Sequence, residues 1–248
     1  MSSHRIGLLV PSSNTTMETE IPEILRRQSA LTGDQFTFHA SRMRMKTVEK
    51  SELAAMNADA GRAAIELADA QVEVMAYACL VAIMSQGNGV HRGIEEDLTR
   101  TAADNGCAVD VLSSAGALVE GLHHLGARKV SIVTPYMKPL TALVAGYIES
   151  EGIEVQDSIS LEVDDNLAVG RLDPSRLPDI AADLDTRGVD AVVLSACVQM
   201  PSLPAIPAAE KRLGLPIVTA AAATSWKVLR TLGLETVADG AGALLKKN

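Results

Sequence analysis

The fold is decided by residues 72–79, Val72-Glu73-Val74-Met75-Ala76-Tyr77-Ala78-Cys79, an apolar run that ends on a cysteine. A second run of this kind lies far downstream and reads Val189-Asp190-Ala191-Val192-Val193-Leu194-Ser195-Ala196-Cys197. Nearly continuous apolar runs of this length are typical of parallel strands buried on both faces. We therefore expect each cysteine at the carboxyl end of a buried strand, and we predict that the two ends face each other across a cleft.

The rest of the chain alternates between such strands and helical patterns. The predicted strands outside the two cysteine runs are Arg5–Val10, Phe36–Arg42, Ala108–Leu112, Lys129–Thr134, one within Ile153–Val163, and Pro216–Thr219. Helical patterns separate them, including one long helix over Glu52–Asp69 and a final helix over Ser225–Leu232. This alternation predicts an α/β fold in which parallel sheets are flanked by helices.

The two halves of the chain correspond to each other. A strand is followed by proline at Pro11 and again at Pro135, and a strand is followed by cysteine at Cys79 and again at Cys197. The repeat predicts an ancient duplication that gives two Rossmann-like lobes related by a pseudo-twofold axis. We place residues 1–114 and about 220–248 in the first lobe, residues 115–219 in the second, and the active site between them.

Composition excludes several classes of function. The 248 residues carry a formal net charge of −9 and no basic block, so nucleic acid is not an expected partner. Aromatic residues make up only 2% of the chain, which favours a small polar ligand over a stacked base or large cofactor. No segment approaches the roughly 18 apolar residues of a membrane helix. Three cysteines without CxxC spacing indicate reduced thiols, and we expect a cytoplasmic protein.

Candidate site residues follow the predicted strands, because ligands of open parallel sheets bind outside the carboxyl ends of the strands. These positions are Pro11–Asn14, Cys79–Val81, Pro135–Tyr136, Asn166 and Cys197–Gln199. Cys79 and Cys197 each precede a predicted helix, whose first N–H groups and dipole are expected to lower the thiol pKa. Cys107 is expected to fill the core.

Other polar residues allow a functional and a purely structural interpretation. Ser12 and Asn14 can cap a helix or donate to a carboxylate, and Asn166 can be a simple turn residue within Asp164-Asp165-Asn166. Arg42 and Arg44 are interpreted as a solvated face. The five histidines lack metal-ligand spacing and no nucleotide-binding signature occurs, so neither a metal nor a cofactor is predicted.

Several strings of residues carry a family resemblance over essentially the whole chain. These segments are Val10–Asn14, Ser41–Met45, Tyr77–Ala82, Ser113–Glu120, Pro135–Met137, Asp165–Asn166 and Ala196–Ser202. On these segments, the chain resembles the Asp/Glu racemase superfamily and, within it, the maleate cis-trans isomerases. A pair of cysteines alone would indicate only the superfamily, whereas Tyr-Ala-Cys-Leu-Val and Cys-Val-Gln-Met-Pro-Ser are more specific.

The resemblance implies conversion of maleate to fumarate without a cofactor, in a homodimer or larger homo-oligomer. It implies Cys79 as the nucleophile and Cys197 as its acid/base partner. Binding of the two substrate carboxylates is assigned to Asn14, Tyr136 and Asn166, to backbone N–H groups near Val81 and Val198, and to the Pro11-Ser12 turn. Thiolate addition would turn the double bond into a single bond that can rotate.

Two alternatives remain open. A racemase or decarboxylase of the same superfamily would use the two thiols as opposed acid and base, with no covalent adduct. A small-acid-binding or redox-sensing module would pair the cysteines in a disulfide, which requires their Cα atoms to lie within about 7 Å.

Overall fold

A computed structural model describes residues 3–247, with only the backbone described at Lys50. Eight strands form two four-stranded sheets, and every strand pairing within them is parallel. The strands are β1 Ser3–Pro11, β2 Gln35–Met43, β3 Val74–Tyr77, β4 Val111–Ser113, β5 Lys129–Thr134, β6 Glu154–Ser160, β7 Ala191–Ser195 and β8 Ile217–Thr219.

The two sheets share one strand order, which confirms the predicted correspondence between the two halves of the chain. The first sheet is ordered β2-β1-β3-β4 and the second β6-β5-β7-β8. The inner strands are almost wholly buried, as their continuous apolar sequences require. The carboxyl ends of β1, β3, β5 and β7 are therefore the positions from which each sheet presents loops to a ligand.

Helices cover both sheets. They are α1 Met17–Thr32, α2 Lys50–Ala58, α3 Ala60–Asp69, α4 Leu80–Met84, α5 His91–Asp104, α6 Ser114–His124, α7 Lys138–Ser150, α8 Asn166–Val169, α9 Leu177–Ala182, α10 Ile206–Leu213 and α11 Ala220–Thr231. Three short 3-10 turns complete the structure. Within residues 3–247, no helix is long and apolar enough to cross a membrane.

The helices α6 and α11, which follow the last strand of each sheet, begin with the same kind of cap. Ser113 caps α6 by accepting the N–H of Gly116, and Thr219 caps α11 by accepting the N–H of Ala222. The two helices lie side by side, where the Thr224 hydroxyl donates to Ser114 at 3.0 Å. The duplication therefore extends from the strand order to the local capping chemistry.

The predicted long helix over residues 52–69 is wrong, since the chain forms two helices that meet at Asp59. The hydrogen-bond pattern changes at the junction, since the N–H of Asp59 donates to the carbonyl of Met56 at 3.1 Å, three residues back instead of the four of an α-helix. The Asn57 amide donates to the carbonyl of Ala82 at 2.8 Å, and the Asp59 carboxylate binds Arg62.

Two other helix boundaries differ from those predicted. The final helix begins at Ala220 rather than Ser225, because the Thr219 hydroxyl provides a cap directly after β8. Asn166 opens α8 instead of lying in a simple turn, and Asp165 caps this helix by accepting the N–H of Leu167.

Candidate active site

Loops from both sheets converge on a closed interior region between them. The loop after β1 meets the second half of the chain directly, since the Asn166 amide donates to the Ser13 hydroxyl at 2.7 Å. Cys79 follows β3 and Cys197 follows β7, and the two sulfurs are close enough for the charge of one to affect the other. The structure thus brings together the residues that follow the inner strands, as the strand pattern predicted.

Cys79 lies at the N-terminus of α4 and is only 4% exposed. Its sulfur accepts a hydrogen bond from the N–H of Ala82, which favours the thiolate. Burial has the larger effect and, together with the nearby charge of Cys197, raises the pKa of Cys79 to about 12. The expected lowering of this pKa is therefore wrong, because loss of hydration outweighs the donors of a five-residue helix.

Cys197 is 5% exposed and has more hydrogen-bond donors than Cys79. Its sulfur accepts hydrogen bonds from the Tyr136 hydroxyl and from the N–H groups of Gln199 and Met200. Burial still raises the pKa of Cys197, contrary to the expected lowering, while the three donors oppose that rise. Of the two thiols, Cys197 is therefore the better equipped to carry a negative charge.

Tyr136 is buried beside both sulfurs. Burial raises the pKa of its hydroxyl well above the ordinary value, with smaller contributions from the two cysteines. The hydroxyl consequently remains protonated and acts as a donor. This residue thus contacts the acid/base candidate directly, whereas the resemblance assigned it to the substrate.

Asn14 is 1% exposed, and the oxygen and nitrogen of its side-chain amide have different roles. The amide oxygen accepts the N–H groups of Thr16 and Met17, both at 3.0 Å, and so caps α1. No described residue accepts a hydrogen bond from its amide nitrogen. The capping bonds fix the side chain and leave an N–H donor for a carboxylate.

Asn166 is the second buried amide of the site, at 4% exposure. Its nitrogen donates to Ser13, so a substrate carboxylate would bind beside this contact or displace it. Two backbone donors lie nearby: Val81 occupies the first turn of α4, whose N–H groups lack intrahelical partners, and Val198 follows Cys197 directly.

Pro11 and Ser12 shape the loop after β1. The carbonyl of Pro11 accepts the N–H of Asn14 at 2.9 Å, which closes a tight turn. Ser12 is exposed, and its hydroxyl exchanges hydrogen bonds with the backbone of Met45. Both residues therefore hold the loop in place, and the Ser12 hydroxyl is already engaged away from the thiols.

Comparison with known proteins identifies the family. The family model described as arylmalonate decarboxylase matches residues 6–245. A maleate isomerase of Pseudomonas putida is 58% identical over 242 residues, covering 98% of this chain and 97% of that protein. The chain belongs to the maleate isomerase family.

Two solved structures of maleate isomerases are similar over their whole length. A cysteine-to-alanine variant of the Pseudomonas putida S16 enzyme with maleate has a TM-score of 0.97 and 53% identity, covering 98% of this chain and 97% of that one. A cysteine-to-serine variant of the Nocardia farcinica enzyme carries a covalently bound succinylcysteine intermediate. It has a TM-score of 0.96 and 47% identity, covering 100% of both chains.

Sequence reasoning missed one residue that holds the site of this maleate isomerase family member. Arg42 is exposed, as its interpretation as part of a solvated face implied, but its guanidinium also donates to the carbonyls of Ser12 and Asn14 and pairs with Glu18. The matching string Ser41–Met45 was the available signal. Arg42 thereby fixes the backbone of the loop that carries Asn14.

The nearby cavity and the arrangement of possible metal ligands also bear on which ligands the site can bind. A cavity of about 310 Å³ lies beside Tyr136, but its lining is mainly apolar, with Leu53, Leu140 and Leu143 among the residues, and neither thiol lines it. It does not suit a dicarboxylate. Between residues 3 and 247, no three His, Cys, Asp or Glu side chains are placed to hold a metal ion.

Cys107 lies outside the site, as predicted. It is buried at 5% exposure, and its thiol donates to the carbonyl of Val72 at 3.6 Å. All three cysteines are free thiols.

Proposed function

We propose that this protein isomerises maleate to fumarate without a cofactor, through covalent addition of the Cys79 sulfur to the double bond. The observation that carries the proposal is a pair of buried thiols with unequal sets of donors, accompanied by two buried asparagines, Asn14 and Asn166. One sulfur has a single donor and the other has three. The maleate and succinylcysteine contained in the two similar structures support the same chemistry.

Binding of the dianion is assigned to the donors around the thiols. Asn14 and Asn166 each direct an amide at one carboxylate, and the N–H groups of Val81 and Val198 complete the two sites. Donors that are fixed before the substrate arrives stabilise charge without reorganising. Because the site is buried, each of these contacts is stronger than it would be in water.

The donors on each sulfur indicate which thiol carries the negative charge and which carries the proton. In the reactive form we assign one negative charge to the pair and place it on Cys197, whose sulfur accepts hydrogen bonds from Tyr136, Gln199 and Met200. As Cys79 attacks C2 of maleate, its proton passes to Cys197. The C2–S bond forms, the π electrons move to C3, and Cys197 delivers the proton there.

The resulting succinyl thioether has a single C2–C3 bond that rotates. Cys197 then removes a proton from C3, the C2–S bond breaks, and the Cys79 thiolate leaves as the trans double bond forms. Cys79 recovers its proton from Cys197, so the enzyme returns to its initial state. All atoms and charges balance, and no external oxidant, reductant or cofactor is required.

A decarboxylase or racemase remains the second candidate, because the arylmalonate decarboxylase model matches the chain. The distinguishing feature is the covalent adduct. An ultraviolet assay that follows loss of maleate and gain of fumarate tests the proposed reaction, and activity on an arylmalonate or amino acid in its place would contradict it.

We also propose a homo-oligomer that works in the cytoplasm. Three buried free thiols suit a reducing compartment. Light scattering is expected to give a mass of at least twice 26.1 kDa, and a mass of 26.1 kDa would contradict the assembly.

A further inference from the structure

Gln199 is buried between the loops that carry the site, at 2% exposure. Its amide oxygen accepts the N–H groups of Thr15 at 3.0 Å and Thr16 at 3.3 Å. Its amide nitrogen donates to the carbonyls of Ser13 at 3.1 Å and Asn166 at 2.9 Å. Both N–H groups and both lone pairs of the amide are therefore used.

The backbone of Gln199 adds two contacts. Its N–H donates to the sulfur of Cys197 at 3.4 Å, and its carbonyl accepts the Thr16 hydroxyl at 2.7 Å. One residue thus bonds the loop on both sides of Asn14, the backbone of Asn166, and the acid/base thiol.

Gly170 shows how closely the structure surrounds this amide. A Cβ atom at Gly170 would lie 2.6 Å from the amide nitrogen of Gln199 and 3.1 Å from its amide carbon. The φ of Gly170 is −67°, which any residue adopts. Contact with the Gln199 amide, rather than backbone conformation, is what restricts a side chain at this position.

We propose that Gln199 is a positioning residue that fixes the distance between the Asn14 and Asn166 amides and aligns both with Cys197. This inference rests on the proposed function, because it concerns how the two carboxylates of maleate are held. A frame of fixed width places the two carboxylates of the cis substrate so that C2 faces the Cys79 sulfur and C3 faces Cys197 when addition begins.

The expected consequence is kinetic. Without the Gln199 amide, each asparagine can still bind a carboxylate, but the amides of Asn14 and Asn166 are no longer held at a fixed distance from each other and from the thiols. A displacement of about 1 Å in a reacting geometry costs about 100-fold in rate. We expect the loss to appear mainly in kcat, with a smaller change in KM.

The test compares Gln199→Met with a matched control, Gln156→Met. Gln156 is a half-buried glutamine that donates to Asp185 at 3.0 Å, remote from the thiols. Gln199→Met is expected to lower kcat about 100-fold per folded molecule, and the control to leave it unchanged. In an Asn166→Ala background the same substitution is expected to cost about 10-fold or less, since residues acting as one unit are not additive.

Gly170→Ala supplies the second variant, because it displaces the amide while every hydrogen-bonding group remains. It is expected to lower kcat in the same direction even if Gln199→Met fails to fold, and circular dichroism monitors folding of both. The proposal is overturned if both variants lower only the folded fraction, with kcat per folded molecule unchanged. Fully additive losses in the Asn166→Ala background would also overturn it.

Failure of this inference is distinguishable from failure of the proposed function. If the unmodified protein does not convert maleate, the proposed function fails and the positioning role fails with it. If it converts maleate and the Gln199 and Gly170 variants match it, only the positioning role fails.

Discussion

Hydrogen-bond donors, more than burial, distinguish the two thiols. Cys79 and Cys197 are almost equally buried, at 4% and 5% exposure. Burial raises the pKa of both, but Tyr136 and two backbone N–H groups oppose this rise only at Cys197. On this asymmetry rests our proposal that each sulfur has its own part in the reaction.

Tyr136→Phe is predicted to make the enzyme work at higher pH. Loss of the hydroxyl removes a donor to Cys197, so the pKa of that thiol rises further and its thiolate forms only at higher pH. A hydrogen bond to a charged group contributes about 1.5–3 kcal/mol, so kcat/KM at pH 7 is expected to fall about 10- to 100-fold. The measurement is the pH profile of kcat/KM, whose rising limb shifts to higher pH.

The matched control for this substitution is Tyr147→Phe, since Tyr147 is a buried tyrosine that contacts His91 instead of the thiols. An unshifted pH profile for Tyr136→Phe, or an equal shift for Tyr147→Phe, would contradict the donor role.

Asn14→Asp is predicted to weaken substrate binding without weakening the fold. The aspartate keeps the oxygen that caps Thr16 and Met17, but it replaces the amide donor with a charge that repels the carboxylate. KM for maleate is expected to rise at least about 10-fold, while the melting temperature does not fall. Asn88→Asp, in an exposed turn, is the control and should change neither.

At the scale of elements, one carboxylate ties α1 to the second half of the chain. Glu20 is buried, and one of its oxygens accepts the N–H groups of Ser202 at 2.6 Å and Leu203 at 2.7 Å. Burial raises the pKa of Glu20 above 4.5, and the hydrogen bonds only partly oppose this. The folded state therefore prefers the protonated carboxyl. Its contribution to stability is greatest below pH 4.5 and decreases as pH rises through the folded-state pKa.

Glu20→Gln is accordingly predicted to be at least as stable as the unmodified protein at pH 7. Glutamine retains the accepting oxygen and has no charge to bury, so its advantage should shrink as pH falls toward 4.5. Glu20→Ala should instead lose about 1–3 kcal/mol, because two N–H groups lose their partner. Urea unfolding at several pH values measures both effects.

Glu23→Gln on the same helix is the control, because the pKa of Glu23 is lowered whereas the pKa of Glu20 is raised. Arg26 and Arg27 lower the pKa of Glu23 to about 2, so its carboxylate stabilises the fold at pH 7 and that contribution disappears as pH falls toward 2. If Glu20→Gln were less stable at pH 7 by an amount independent of pH, the burial argument would be contradicted.

The elements also show how far the sequence alone could lead. Continuous apolar runs located the buried strands, and the repeated strand-then-cysteine pattern located both thiols. The alanine-rich pattern predicted one long helix, but the chain forms two helices that meet at Asp59. The thiol pKa values were also beyond sequence reasoning, because the sequence shows the helix donors but not the degree of burial. Similarly, the roles of Arg42 and Gln199 depend on contacts between distant segments.

At the scale of the whole molecule, we propose that residues 1–114 and 220–248 form one lobe and residues 115–219 the other. Two contacts support a return of the chain to the first lobe: in α1, Arg27 donates to the carbonyl of Asp239 at 3.1 Å, and Gln28 donates to the carbonyl of Glu235 at 3.5 Å. The second lobe would then be an insertion between two parts of the first.

Truncation after Thr219 tests this division. Hydrogen exchange is expected to accelerate in β3 and β4, which lose their contacts with α11, more than in β5 and β7. Truncation after Leu245 removes only the last three residues and is the control. Faster exchange confined to β5 and β7 would contradict the proposed lobes.

The most direct test of the central claim is to trap the covalent intermediate. Cys197→Ser removes the thiol that we propose to take the proton back from C3, so an adduct formed by the Cys79 thiolate at alkaline pH is expected to persist. After incubation with maleate and denaturation, mass spectrometry of peptides is predicted to show the mass of one maleic acid added to the peptide containing Cys79. That mass should be absent from the Cys79→Ser variant. An adduct on another residue, or turnover of maleate by Cys79→Ser, would contradict the account.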